Sequence, residues 1–550
     1  MHNLARIHEA IAEAIPEREC LVFRDRRFSW RQVTDRTRRL AAVLRAAGLG
    51  CHTERDQLAN WESGQDHVAL YMYNGNEYLE GMLGAFKARC APFNVNYRYV
   101  EKELLYLLEN ANTRVLIYHA AFVPILEKLR ARLPGVSLWL QVADASGNAL
   151  LPGAVDYETA LAEAIPEPLA SDVSQDDLYI LYTGGTTGMP KGVIWRNEDI
   201  HRAALAAGGV AESLEALKER VKARPEFRAL PSPPLMHGAA HWVAFNMWHV
   251  GATVVIQSKV ERLDPDDIWS TVERERVNAI TIVGDAFARP LLDQLEKKNY
   301  DLSTLMLITS GGAILTPALK RELLSKLPNI RIMDALGSSE TGTQGVQFST
   351  RDSGVSTGKF DMAEGNVVLR DDFSGLVTPG SEEIGWLARS GNVPLGYYND
   401  PDKTSETFPE IQGVRYAVPG DRAMLEADGR LKLLGRDSVT INSGGEKIFA
   451  EEVELALKDH PGVYDAVVCG TPNARFGSQV TAIVQLREGV APDEAELKTH
   501  ANRSIAAYKL PRAFVFVDSI LRAPSGKADY RWAKECAMRA LQAASARTPG

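Results

Sequence analysis

The stretch that decides the fold is Ala252-Thr253-Val254-Val255-Ile256, then a helical pattern over 265–277, then Ala279-Ile280-Thr281-Ile282-Val283, then a helical pattern over 286–298. Leu305-Met306-Leu307-Ile308-Thr309 and a helical pattern over 317–326 repeat the alternation. Short β-branched runs alternating with amphipathic helices can bury both faces of a strand only under covering helices. The pattern therefore predicts α/β layering with much parallel sheet. Val115-Leu116-Ile117-Tyr118 before 121–132 extends it toward the N-terminus, and 29–48 reads as an amphipathic helix stopped by Gly48. The charge-dense run 212–228 reads as a solvated helix or surface insertion.

After residue 365 the texture changes to strand-like pieces between turns (Pro379-Gly380, Asp428-Gly429), which predicts a smaller β-rich subdomain. From 438 onward a helix at 450–458, strands at 466–469, 480–484 and 514–517, and a helix at 493–506 predict a compact α+β unit. The boundary is placed at Gly435-Arg436-Asp437-Ser438, giving domains 1–436 and 437–550.

Composition bounds the rest. With 550 residues, three or four units of about 150 are expected. The chain is 45% hydrophobic and 24% charged, which excludes a disordered or fibrous protein. A net charge of −9 gives no electrostatic footprint for nucleic acid or an anionic membrane. Cys20, Cys51, Cys90, Cys469 and Cys536 are odd in number and scattered, which fits reduced thiols better than a disulfide framework or a zinc site. The start carries no apolar signal core. Trp242–Ile256, the most apolar stretch, is too short and too polar to span a bilayer. A soluble cytoplasmic protein without an integral membrane segment is expected.

The strongest local signal is Tyr182-Thr183-Gly184-Gly185-Thr186-Thr187-Gly188-Met189-Pro190-Lys191-Gly192-Val193, after the apolar run Leu178–Leu181. Gly184, Gly185 and Gly188 let the backbone turn N–H groups inward, three threonine hydroxyls add donors, and Lys191 adds a point charge. Those parts suit nucleotide phosphates. It is not a Walker A loop, because Met189-Pro190 separates Gly188 from Lys191.

This loop resembles that of the adenylate-forming superfamily, which includes acyl-CoA synthetases, firefly-type luciferases and peptide-synthetase adenylation domains, with Gly185 in place of the usual Ser. Further motifs follow in the family's order over nearly the whole chain. Asp334-Ala335-Leu336-Gly337-Ser338-Ser339-Glu340 is similar to the family's Y-G-x-T-E. The resemblance implies Mg²⁺ on Glu340, the α-phosphate at Ser339, adenine against Leu336 where the family has an aromatic, and an amine contact at Asp334. Gly311-Gly312-Ala313 matches the adenine-side loop, although alone it reads as a βα turn. Asp421, in Pro419-Gly420-Asp421, matches the ribose-binding Asp, and Arg436 would reach ribose or phosphate. Ser438 occupies the hinge position, where the family has Asp or Lys. Gly444 and Gly445 would leave room for the pantetheine arm of coenzyme A, with Lys447 beside them. Lys527, in Pro524-Ser525-Gly526-Lys527, matches the lysine that bridges substrate carboxylate and α-phosphate.

For the acyl site, Pro234-Leu235-Met236-His237-Gly238 resembles the family's His motif, with His237 gating or orienting the carboxylate. Trp242 and Phe245 could line an apolar pocket or belong to a buried helix, and Val283-Gly284-Asp285 sits where the family has a pocket-lining turn. The resemblance is greatest to bacterial acyl-CoA synthetases of lipid or steroid side-chain catabolism. It implies an ATP- and Mg²⁺-dependent ligase that converts a hydrophobic carboxylic acid to an acyl-AMP and then to a coenzyme A thioester. Lys527, Glu340, Thr186, Lys191 and His237 would be its catalytic set, and the family is often dimeric. Two other readings stand beside it: an adenylating enzyme that hands the acyl group to a carrier protein or another nucleophile, and a non-catalytic nucleotide-binding protein.

Overall fold

The computed structural model describes residues 2–184, 189–443, 446–473, 475–523 and 526–547, without the side chains of 544–547. Gly185, Thr186, Thr187, Gly188, Gly444 and Gly445 lie outside the described residues.

The strand–helix alternation builds two sheets. In the larger, Glu19–Phe23, Thr253–Ile256, Arg228–Pro231, Ala279–Ile282, Leu307–Gly311 and Arg331–Ser338 lie side by side and parallel. Helices Pro265–Glu275, Gly284–Leu295 and Pro317–Lys326 cover it, with Trp269, Phe287, Leu291 and Leu323 in their shared core. An eight-stranded second sheet centres on the parallel strands Ala91–Asn94, His67–Tyr71 and Thr113–His119. The antiparallel pair Leu178–Thr183 and Lys191–Arg196 flanks them, and the glycine-rich loop connects that pair.

Helix Trp30–Ala46 follows its sequence signals closely. Ser29 and Gln32 form a capping box, and Gly48 takes φ +74° just past the end. Helix Leu214–Ala223 occupies the charge-dense run and buries Leu217 and Val221, with its charges apart from Arg220 toward the outside. One strand is displaced from its expected place: Leu307–Gly311 replaces 305–309. Leu305 and Met306 are held by turn and loop hydrogen bonds to Leu302 and Asn278, and Gly311 pairs with Ala335 instead. The shift sets Gly311-Gly312 at the carboxyl end of a parallel strand, the usual place for ligands in such sheets.

The β-rich region after 365 does not form a sheet of its own. Lys359–Met362 pairs with both Gly342–Ser349 and Leu431–Arg436, so the hydrogen-bonded path runs on from the large sheet into Asp421–Leu425 and Gly385–Ser390. Beyond it, the hairpin Val463–Asn473 with Gly477–Leu486 and the parallel strand Ala513–Phe516 make a three-stranded sheet. Helix Ala450–Lys458 packs against it, and Val453, Leu457, Val468 and Val484 form its small core.

Candidate functional site

A cavity of about 1330 Å³ opens where the two sheets and the C-terminal unit meet. It exceeds the usual span of small-molecule sites, roughly 300–1,000 Å³. Its wall includes Thr183, Gly184, His237, Trp242, Val283, Gly311, Gly312, Ala335, Leu336, Gly337, Ser338, Ser339 and Lys527. Segments separated by hundreds of residues in sequence thus converge on one space.

Asn94 anchors two of these segments. Its amide exchanges hydrogen bonds with the Tyr182 backbone, both 2.8 Å, and donates to Met236 O at 2.8 Å. One buried side chain thereby fixes the root of the glycine-rich loop and the turn carrying His237. The His237 Nε2 has no protein partner, and the ring borders the cavity. Burial, reinforced by Lys527, holds its pKa down to about 3, so the ring is neutral at physiological pH. A neutral imidazole can hydrogen-bond a carboxylic substrate without adding charge.

Glu340 and Lys191 stand at the margin, one residue past the wall-forming Ser339 and Pro190. The Tyr397 hydroxyl donates to Glu340 Oε1 at 3.0 Å, and the Trp195 indole donates to Ser339 O at 2.9 Å. Burial and the adjacent carboxylate push the Tyr397 phenol up, so it remains a donor. Lys191 pairs with Asp400 at 2.8 Å and lies 5.6 Å from the Tyr397 ring centroid. Tyr397 therefore sits between the carboxylate and the lysine.

Lys527 arrives on a tight turn. Gly526 donates to Ala523 O at 2.8 Å and Ala523 to Lys527 O at 2.9 Å, while Arg522 holds the turn through Gly526 O and Asp465. Gly526 has φ +76°, and a Cβ there would come within 2.9 Å of Val283 Cγ1. Only glycine satisfies both conditions. The Lys527 Cε lies 3.6 Å from where a Cβ on Gly312 would be. Lys527 lines the cavity, and much of its surface is uncovered. Desolvation lowers its pKa and Arg436 adds to this, while Glu340 and Asp421 oppose both. Asp421 and Arg436 are cross-strand neighbours joined at 3.3 Å.

The depressed lysine has a kinetic consequence. If protonated Lys527 is required, kcat/KM for adenylation must fall on the alkaline side with a limb below the ordinary lysine value. That profile belongs to the free enzyme. Lys527→Arg is expected to remove this limb, because guanidinium stays charged throughout. An unchanged limb in that variant would assign it to another group.

Several expected residues fall elsewhere. Phe245 is in the core between Phe86 and Trp248, not on the cavity wall. Asp285 accepts from Thr316 N at 2.8 Å and borders a different cavity, with Lys458 Nζ 3.8 Å away. It caps a loop because helix Gly284–Leu295 begins at Gly284 and turns the carboxylate away. Asp334 is taken by the buried Lys320, which also donates to Ser356 O and Thr357 Oγ1, and it is not on the cavity wall. Ala313, too, is off the wall, packed against the core under the large sheet. Ser438 is exposed in the short turn Asp437–Val439, and Lys447 is exposed on the hairpin strand Glu446–Ile448. Asn94, Tyr397, Asp400 and Lys320 carried no local signal in the sequence.

Among the described residues no cluster of three or more His, Cys, Asp or Glu could hold a metal by itself. Glu340 has one carboxylate oxygen spoken for by Tyr397. A single hard oxygen ligand is the donor set expected for Mg²⁺ that arrives on phosphates and keeps several waters. No described helix is long and apolar enough to cross a membrane.

Sequence models of two families match the chain: "AMP-binding enzyme" over residues 8–398 and "AMP-binding enzyme C-terminal domain" over 452–527. The chain is 52% identical to the medium-chain acyl-CoA ligase Mig of Mycobacterium avium, covering 97% of this chain and 98% of that protein. It is 41% identical to a 3-oxocholest-4-en-26-oate–CoA ligase of Rhodococcus rhodochrous, covering 97% and 95%. The crystal structure of the anthranilate CoA ligase AuaEII with anthranoyl-AMP superposes with a TM-score of 0.81 at 24% identity over 98% of both chains, a likeness of fold.

Proposed function

We propose, because this chain belongs to the AMP-binding enzyme family, that it is an ATP- and Mg²⁺-dependent acyl-CoA ligase for a hydrophobic carboxylic acid. The observation that carries this reading is Lys527 poised over Gly312 in a cavity that also exposes His237. A binding protein has no need of a desolvated lysine there. Relatives named for medium-chain and steroid side-chain acids support the apolar substrate class.

The carboxylate must approach a negatively charged α-phosphate, so charge neutralisation and positioning dominate the first step. Lys527 would bridge the two groups, with His237 orienting the acid as a neutral partner. Thr183, Gly184, Gly185, Thr186, Thr187, Gly188 and Lys191 would cradle the phosphates. Gly311, Gly312 and Leu336 would flank adenine, and Asp421 with Arg436 would take the ribose. Glu340 would hold Mg²⁺, which when bound supplies positive charge to the phosphates.

The acyl adenylate then needs a thiol on the face that Lys527 covers. Rotation of 437–550 about Ser438 would exchange Lys527 for the loop containing Gly444 and Gly445, as lid-like domain motions do. The chain is expected to act in the cytoplasm, as a homodimer.

The test is a panel of carboxylic acids with ATP and Mg²⁺, following pyrophosphate release and then acyl-CoA. Turnover of apolar acids to thioester is expected. Pyrophosphate without thioester would move the acyl acceptor to a carrier or another nucleophile, and no turnover of any acid would leave a binding protein.

A further inference from the structure

One wall of the main cavity is a face of helix Gly238–Trp248. Ala239, Trp242, Val243 and Asn246 follow one another at helical spacing along it, away from His237. From Gly238 to Asn246 is eight residues, about 12 Å at 1.5 Å per residue. An acid whose carboxylate lies near His237 and Lys527 would run its chain along this face. Asn246 is the polar residue of that row and stands at its far end.

Asn246 ties the end of helix Asn197–Ala204 to the segment that connects it to helix Leu214–Ala223. Its Oδ1 accepts from Ala207 N at 2.9 Å and its Nδ2 donates to Ala204 O at 2.5 Å. The same segment is tied by a His249 Nδ1 contact to Leu205 O at 2.7 Å, and by Arg220 donating to Gly208 O and Gly209 O at 2.7 and 2.8 Å. Ala206, Ala207 and Val210 meanwhile border the cavity. Ala207, Gly209 and Val210 are also exposed.

Leu205 anchors the start of this wall in the main core, while the residues after it are held mainly by hydrogen bonds. Behind it lies a crevice of about 10 Å³, bordered by Ile7, Leu214 and Leu217 as well as His201, Arg220 and His249. The buried His201 Nδ1, His249 Nε2 and Arg220 Nε have no protein partner there. A segment set between two spaces and held by side-chain hydrogen bonds can move when one of those bonds is cut.

We infer that Leu205–Val210 is the length stop of the acyl channel, and that Asn246 is the positioning residue that latches it shut. The inference rests on the ligase reading and narrows it: the channel is closed about two helical turns from the carboxylate site. Medium-length chains fill it, and longer or bulkier tails must displace the segment. Asn246 acts through the segment and touches no reacting atom.

The test compares kcat/KM for pyrophosphate release across straight-chain acids of increasing length in the wild type, Asn246→Ala and Ala207→Phe, with Tm for each. Asn246→Ala should raise the long-to-medium ratio about tenfold, and Ala207→Phe should lower it about tenfold, the scale of roughly two methylenes of apolar contact. The Ala207→Phe arm does not depend on the latch variant folding, because Ala207 is exposed. Parallel loss on all acids in both variants, or unchanged ratios, would overturn the inference while leaving the ligase reading intact. If the wild type activates no acid at all, it is the ligase reading that fails.

Discussion

Replacing Lys527 by Ala is expected to slow acyl-adenylate formation by about 10²–10³-fold, the usual scale for removing one charge-stabilising group. Thioester formation from preformed acyl adenylate and coenzyme A should change no more than a few-fold. The first expectation follows from geometry: the Lys527 Cε lies near Gly312, and Lys527 and His237 line the space that must also hold the substrate carboxylate. The second follows from the need to clear that face before a thiol can enter. Stability should scarcely fall, because the lysine is desolvated and adds its charge to that of Arg436 without a hydrogen-bonded carboxylate of its own among the described contacts. Pyrophosphate release reports the first half-reaction, and acyl-CoA from synthetic acyl adenylate reports the second. Equal loss in both would rule out two alternating faces and assign Lys527 a role common to the whole cycle.

The sequence was most informative where chemistry and backbone geometry share the same residues. Gly311-Gly312 could be read because a βα turn at the end of a parallel strand needs small residues whether or not a ligand is present. Lys527 is singled out by the match of Pro524-Ser525-Gly526-Lys527, and Gly526 there takes a positive φ. Helix Gly238–Trp248 could not be divided into faces. It is apolar on nearly all sides, so periodicity does not separate Trp242, which borders the cavity, from Phe245, which is core. The supporting shell was also silent. Tyr397 lies 57 residues from Glu340, Asp400 lies 209 from Lys191, and Asn94 lies 142 from Met236. Such pairs exist only after the sheets have assembled, and no local pattern marks them. Asp334 shows the converse error: its position in a motif suggested a ligand contact, whereas the buried Lys320 on helix Pro317–Lys326 claims the carboxylate. A charge at that depth needs a partner, and the nearest cation took precedence over the motif.

Glu340→Gln is expected to lower adenylation by a similar factor, about 10²–10³-fold, and Tyr397→Phe by less, about 10–100-fold, the range for partners that orient a metal-holding side chain. Glu340 sits on the turn that joins strands Arg331–Ser338 and Gly342–Ser349, where a carboxylate could swing widely. The Tyr397 hydroxyl at 3.0 Å fixes one oxygen and leaves the other directed by that bond. Tyr397 is itself placed by the antiparallel pairing of Gly396–Tyr397 with Lys191–Arg196, so the strand that carries Lys191 also sets the orientation of Glu340. The two variants should therefore differ in kind. Glu340→Gln keeps the shape and the hydrogen bond but loses the charge, so added Mg²⁺ should restore little. Tyr397→Phe keeps the charge but frees the carboxylate, so a higher Mg²⁺ concentration should restore most of the rate. Titrating pyrophosphate release against Mg²⁺ separates them. Wild-type rates for Glu340→Gln at every concentration would remove Glu340 from the metal-holding role, and a Tyr397→Phe defect insensitive to Mg²⁺ would make the tyrosine a structural support of the Lys191 strand alone.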